Sequence, residues 1–84
     1  MIYEVIVTPR ARKQLRRLPR QIAGRIRRAI DTLADDPRPP GCIMLKDRDA
    51  WRVRVGDYRI VYEIRDRQLL VTIVAVGHRR EIYD

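Results

Sequence analysis

The sequence is poor in the residues that build most small catalytic centres. Cys42 is the single cysteine, so no disulfide can close within the chain. His78 is the single histidine, and with one Cys and one His a metal site made of protein ligands is not expected. No apolar run reaches membrane-spanning length, so no spanning segment and no membrane partner are expected. The start, Met1-Ile-Tyr-Glu, enters a strand pattern at once and lacks a basic-then-apolar leader, which makes the cytoplasm the expected location. There is no repeat, no low-complexity segment and no interdomain linker. Lysine is nearly missing too: Lys13 and Lys46 are the only two among 19 basic residues.

What is present is arginine on a small globular frame. With 84 residues the chain is read as a single domain, 1–84. A hydrophobic share of 45% fits a folded core of modest size. The net charge of +8 and a pI of about 10.8 point to a polyanionic partner, either nucleic acid or an acidic protein. Guanidinium groups suit forked recognition of phosphate.

Residues 2–8 (IYEVIVT) read as a strand. Thr8-Pro9 supplies an N-cap followed by Pro at the first helical position. Ala11, Leu15 and Leu18 then recur at helical spacing, and Pro19 ends this helix or opens the next. Ile22, Ile26, Ala29, Ile30 and Leu33 form the apolar stripe of a second helix that stops near Asp35-Asp36-Pro37. Residues 36–50 form the one long loop. Strands follow at roughly 51–55, 58–65 and 69–76, with a second turn near Asp66-Arg67 and a polar tail over 77–84. The last strand, LLVTIVAV, is apolar on both faces and should be central and covered. The expected fold is α+β: a small, antiparallel-rich sheet in the order β-α-α-β-β-β, with the N-terminal helical hairpin packed on one face.

The stretch "WRVRVGDYRIVY" (51–62) carries the charge question. Side chains alternate across the pleat, so Trp51, Val53, Val55, Tyr58, Ile60 and Tyr62 form a core face, with Tyr62 nearest the rim. Gly56-Asp57 suits a two-residue type II′ turn. That turn sets Val55 against Tyr58 and Arg54 directly against Arg59. Opposed like charges are destabilising. A face holding Arg52, Arg54 and Arg59 therefore either aims at something negative, or is an ordinary solvated face whose arginines pair with Glu63, Asp47 or Asp49. The tail adds His78, Arg79, Arg80 and Tyr83, a mixture suited to gripping phosphate and stacking on bases. Arg12, Arg16, Arg17, Arg25, Arg27 and Arg28 form either a solvated helix face or a further RNA contact.

The runs "WRVRVGDYRIVYEI" and "VAVGHRREIYD", with "IVTPRARKQLRRLP" and "LADDPRPPGCIMLKD", resemble the RelE family of bacterial toxins within the RelE/ParE superfamily. The resemblance spans essentially the whole chain. It implies a RelE-like fold and a metal-independent, ribosome-dependent endoribonuclease that cuts messenger RNA in the decoding site. It also implies an inhibitory RelB-like antitoxin, acidic and partly disordered, that either covers the arginine face or displaces the Tyr83 tail. Carried over by position, the family's functional residues fall on Lys46, Arg52, Arg54, Arg59, His78, Arg79 and Tyr83. Arg59 and Arg79 would grip the scissile phosphate. Lys46, Arg52, Arg54 and Arg80 would bind flanking phosphates. Arg52 and Arg54 stand where some relatives have lysines, and arginine is a poor base. His78 is the side chain matched to neutral pH, or else a surface histidine at a strand end. Tyr83 would stack on a base, orient the 2′-hydroxyl, transfer a proton, or cover the sheet edge. The rival expectations are a ParE-like gyrase inhibitor, a non-catalytic RNA-binding protein of the same fold, and a decayed toxin that keeps only its antitoxin contacts.

Overall fold

The computed structural model describes residues 2–80. Strand β1 (Glu4–Val7) leads into helix α1 (Pro9–Arg16) and helix α2 (Arg20–Asp35). Strands β2 (Ile43–Met44), β3 (Trp51–Val55), β4 (Tyr58–Arg65) and β5 (Leu70–His78) follow. The sheet order is β1-β5-β4-β3-β2, parallel between β1 and β5 and antiparallel elsewhere. The expected α+β fold is therefore present, with one strand more than the sequence pattern suggested. β2 is two residues long, too short for any periodicity to reveal it.

Local chemistry sets the boundaries. The Thr8 hydroxyl accepts from the Ala11 N–H (3.2 Å) and Pro9 fills the first helical position, so α1 starts capped. Pro19 has no N–H to lose and marks the start of α2. The helices bury Ala11, Leu15, Ile26, Ile30 and Leu33 against Ile60, Tyr62, Val71, Ile73 and Val76 of the sheet. Trp51, Val53, Val55 and Tyr58 pack against the same core, as the alternation in 51–62 required. β5 lies between β1 and β4, the central position expected from its apolar run.

Tyr62 departs from expectation. It is fully buried rather than near the rim, and its hydroxyl donates to the Pro37 carbonyl at 2.7 Å. Burial, then the nearby Cys42 thiol, push its pKa well above the ordinary tyrosine value.

The opposite face of the sheet is only half open. Leu45 and Ala50 fold over Val61 and Ala75 and make a second small core there. The segment expected as a plain loop is thus a cover, held by the Leu45 N–H donating to the Ala50 carbonyl (2.9 Å). At the same end, Arg38 makes a bidentate pair with Asp66 (2.9 and 3.1 Å) and lies over the Trp51 ring at 5.0 Å. Tyr3 donates to Asp66 at 2.8 Å. Arg38 first, and then Tyr3, hold the Asp66 carboxyl below the usual carboxylate range.

One irregularity fixes which side chains face where. Val61 pairs with Ala75 but Tyr62 pairs with Ile73, so Val74 is an extra residue in β5. Beyond it the alternation inverts: Val76 enters the helix-side core and Ala75 the opposite one. β1 pairs with β5 no further than Ile73, and α1 takes over from there. The Thr8 hydroxyl donates to the Ile73 carbonyl (2.9 Å), and Gln14 Oε1 accepts the Val76 N–H at 2.7 Å. Backbone groups of β5 at and beyond the end of its pairing with β1 are thereby satisfied by side chains of the helical layer.

Candidate functional site

The open half of the sheet is its hairpin end. Gly56 adopts a φ of +61°, a conformation glycine reaches without a Cβ penalty, and Val55 pairs with Tyr58 across the two-residue turn. Arg54 stands directly opposite Arg59, as the sequence register required. On the other side of Arg59 the partner is Gly77 of β5. The Arg79 N–H donates to the Asp57 carbonyl at 2.9 Å, which ties the end of β5 to the hairpin turn. Arg54, Arg59 and Arg79 then line one cleft of about 40 Å³ together with Gly56, Asp57 and Tyr58. That is room for roughly three water-sized groups, on the scale of the oxygens of one phosphate. Among the described residues, no carboxylate lies within ion-pair distance of Arg54 or Arg79.

The inverted alternation beyond Val74 brings Arg79 to this cleft. Uninterrupted pairing would have sent Arg79 to the helix side and His78 to the arginine face. The reverse holds. His78 pairs with Tyr58, packs edge-on against its ring (centroids 5.4 Å apart, planes at 85°) and lines a separate cavity on the helix side. The expected grouping of His78 with Arg59 is thus corrected: the sheet separates them.

Arg52 is also displaced from its expected role. It shares the face of Arg54 but is 5% exposed beside the Leu45–Ala50 cover, so it presents no surface to a flanking phosphate. Lys46 is exposed on that cover and does not line the cleft. Arg80 is exposed, and its backbone N–H donates to His78 Nδ1 at 3.2 Å. Tyr83 lies outside the described residues.

Sequence reading set Arg25 on a helix face, solvated or in contact with RNA, and did not join it to the hairpin. From α2 its guanidinium reaches the hairpin turn, 3.4 Å from where a Cβ on Gly56 would sit, and so stands at the lip of the cleft. No local pattern joins positions 25 and 56; only the packing of α2 does. Charge is segregated along the molecule as a result. Arg17, Arg25, Arg54, Arg59, Arg79 and Arg80 gather at the hairpin end. Asp57 of the turn stands among them. At the other end, where β5 begins, Glu4, Asp31, Asp35, Asp36, Glu63 and Asp66 outnumber Arg38, Arg65 and Arg67, two of which pair with Asp66 and Glu63.

A family model described as the ParE toxin of the type II toxin–antitoxin system parDE matches residues 5–83. The chain belongs to this family of toxins. Toxin RelG of Mycobacterium tuberculosis is 34% identical over 85 residues, covering 99% of the toxin and 98% of RelG. Toxin RelE of the same organism is 32% identical over 83 residues, covering 96% and 86%. Among solved structures, the RelBE2 toxin–antitoxin complex of Mycobacterium tuberculosis contains a chain with a TM-score of 0.84 at 29% identity, covering 94% of the toxin and 100% of that chain. The archaeal RelE–RelB complex of Pyrococcus horikoshii gives 0.85 at 27% identity, covering 98% and 100%. The fold, the family match and the RelE-named relatives together make this chain a type II toxin of the RelE/ParE superfamily.

Proposed function

We propose that this toxin is a ribosome-dependent endoribonuclease that cuts messenger RNA in the ribosomal A site. The observation that carries the reading is the cleft in which Arg54, Arg59 and Arg79 converge. RNA brings its own nucleophile, the 2′-hydroxyl beside each phosphodiester. The protein has to hold that hydroxyl in line with the leaving 5′-oxygen and stabilise charge on the phosphate oxygens. Arg59 and Arg79 grip the scissile phosphate, and Arg54 and Arg25 neutralise its neighbours. Attack by the 2′-oxygen forms a bond to phosphorus and breaks the bond to the 5′-oxygen. The products are a 2′,3′-cyclic phosphate and a 5′-hydroxyl, the leaving 5′-oxygen taking up a proton from water. Tyr83 orients the 2′-hydroxyl or takes its proton. His78 has no part in this step, because it faces away from the cleft.

The same reading gives the toxin an acidic RelB-like antitoxin. Its support is the net charge of +8, the RelB partners named for the similar complexes, and apolar residues on both sheet edges: Ile6 at 46%, Ile43 at 48% and Met44 at 57% exposed. The deciding experiment maps cleavage of a translated messenger in a reconstituted translation system. Cuts within the A-site codon are expected from the wild type. Arg59→Ala/Arg79→Ala should lose at least 10²–10³-fold in rate, about the cost of one preorganised donor to developing charge. An intact messenger with the wild-type toxin would overturn the reading. The ParE description of the matching family model favours a second reading, inhibition of gyrase. DNA-damage signalling with intact messenger after induction would select it.

A further inference from the structure

We propose that the cavity on the helix side of the hairpin end is a nucleobase subsite that takes a base through its acceptor edge, guanine above all. The inference rests on the RNA reading of the adjoining cleft and extends it. The cavity has a volume of about 360 Å³, within the range of small-ligand pockets, and Gln14, Arg17, Leu18, Tyr58 and His78 contribute to its wall. Tyr58 lines this cavity and the arginine cleft alike, so the two sites share one wall. Tyr58 and His78 pair at the very end of the sheet, so a nucleotide whose phosphate lies among Arg54, Arg59 and Arg79 on one face would pass its base round that end into the cavity on the other.

The hydrogen-bonding state of the wall selects the ligand. Gln14 Oε1 is occupied by the Val76 N–H at 2.7 Å, an assignment forced because a backbone N–H needs an acceptor. What Gln14 turns to a ligand is therefore its NH₂ group. His78 Nδ1 is occupied by the Arg80 N–H, which leaves the proton of the neutral ring on Nε2. Arg17 offers only donors. No carboxylate lines the cavity. Apart from the Tyr58 hydroxyl, which can donate or accept, every polar side chain of the wall is thus a donor. Guanine carries two neighbouring acceptors, O6 and N7, where adenine has a donor beside its N7. Leu18 and the edge-on Tyr58–His78 pair supply apolar and aromatic surface for the ring.

The test is a titration of the full chain with guanosine 5′-monophosphate and, separately, adenosine 5′-monophosphate, followed by the NMR signals of the His78 ring and the Gln14 side-chain amide. Saturable shifts of both signals are expected with the guanine nucleotide, at an affinity at least about tenfold above that for the adenine nucleotide. Arg17→Ala should reduce that preference severalfold. His78→Phe, which keeps an aromatic ring against Tyr58 but removes the N–H donor, should do the same. Equal affinity for both nucleotides, or shifts confined to Arg54, Arg59 and Arg79, would overturn the proposal. Mononucleotide binding needs neither ribosome nor cleavage, so the two readings fail separately. Guanine preference without messenger cleavage upholds the subsite and sinks the nuclease; cleavage without any preference sinks the subsite alone.

Discussion

Gln14→Ala tests the idea that α1 replaces β1 as the partner of β5 beyond Ile73. The side chain gives up one acceptor, and the Val76 N–H that it satisfied at 2.7 Å belongs to a residue that is 1% exposed. Leaving a buried donor without a partner costs about 1–3 kcal/mol. Here the cavity beside Gln14 can admit water to that N–H, which pulls the expected loss to the lower part of the range, about 1–2 kcal/mol. For a domain of this size that is a fall of roughly 4–16 °C in Tm. Gln14→Glu keeps an acceptor at the same place and should recover most of the loss at neutral pH. The assay is thermal unfolding of the three proteins together with amide hydrogen exchange. Val76 should lose protection in Gln14→Ala, while Ile60 and Tyr62 keep theirs relative to global stability. Unchanged exchange at Val76, or a Gln14→Glu protein as unstable as Gln14→Ala, would refute the role assigned to this contact.

Tyr62 gives a pH prediction. Its folded pKa is raised above the unfolded value of about 10, so the fold favours the neutral phenol. Its contribution is complete below that pH and is lost as pH rises beyond it, at about 1.4 kcal/mol per pH unit. Urea titrations from pH 8 to 11 should show this slope in the wild type and a much smaller one in Tyr62→Phe. That variant should also lose about 1–3 kcal/mol at neutral pH, since the Pro37 carbonyl loses its donor. Arg79→Ala should lower the slope of log K against log[salt] for RNA binding by about 0.7–1, the signature of one lost phosphate contact; an unchanged slope would remove Arg79 from the contact. Gly56→Ala forces a non-glycine residue to a φ of +61° and should cost about 1–2 kcal/mol in chemical denaturation. The Arg25 guanidinium beside that position, being the end of a flexible side chain, should yield.

The fold was legible where patterns were long. The apolar stripe of α2, the Thr8-Pro9 start of α1, the central placement of LLVTIVAV and the Arg54–Arg59 register all followed from periodicity and turn chemistry. β2 did not, because two residues carry no period. The cover formed by Leu45 and Ala50 was hidden for a related reason: its apolar residues are isolated in the chain and meet Val61 and Ala75 only in space. With it went the burial of Arg52, which alternation alone places on an open face. The cleft was half legible. Arg54 and Arg59 were set by a hairpin, but Arg79 and His78 exchange faces through one extra residue in a run, Val71–Val76, that is apolar throughout apart from Thr72. Such a run gives no sign of where its alternation breaks. Gln14, which accepts the Val76 N–H just beyond the break, sits about sixty positions earlier.

The excess of arginine at the hairpin end, against a small excess of carboxylates around Asp66 and Glu63 at the other, gives this molecule a permanent electric dipole lying roughly along its sheet. In the field of a polyanion such a dipole experiences a torque as well as a pull. The toxin is turned hairpin-first while still a Debye length away, about 8–10 Å at ordinary ionic strength. Orientation therefore precedes contact, and encounters that would have met the wrong side are converted into productive ones.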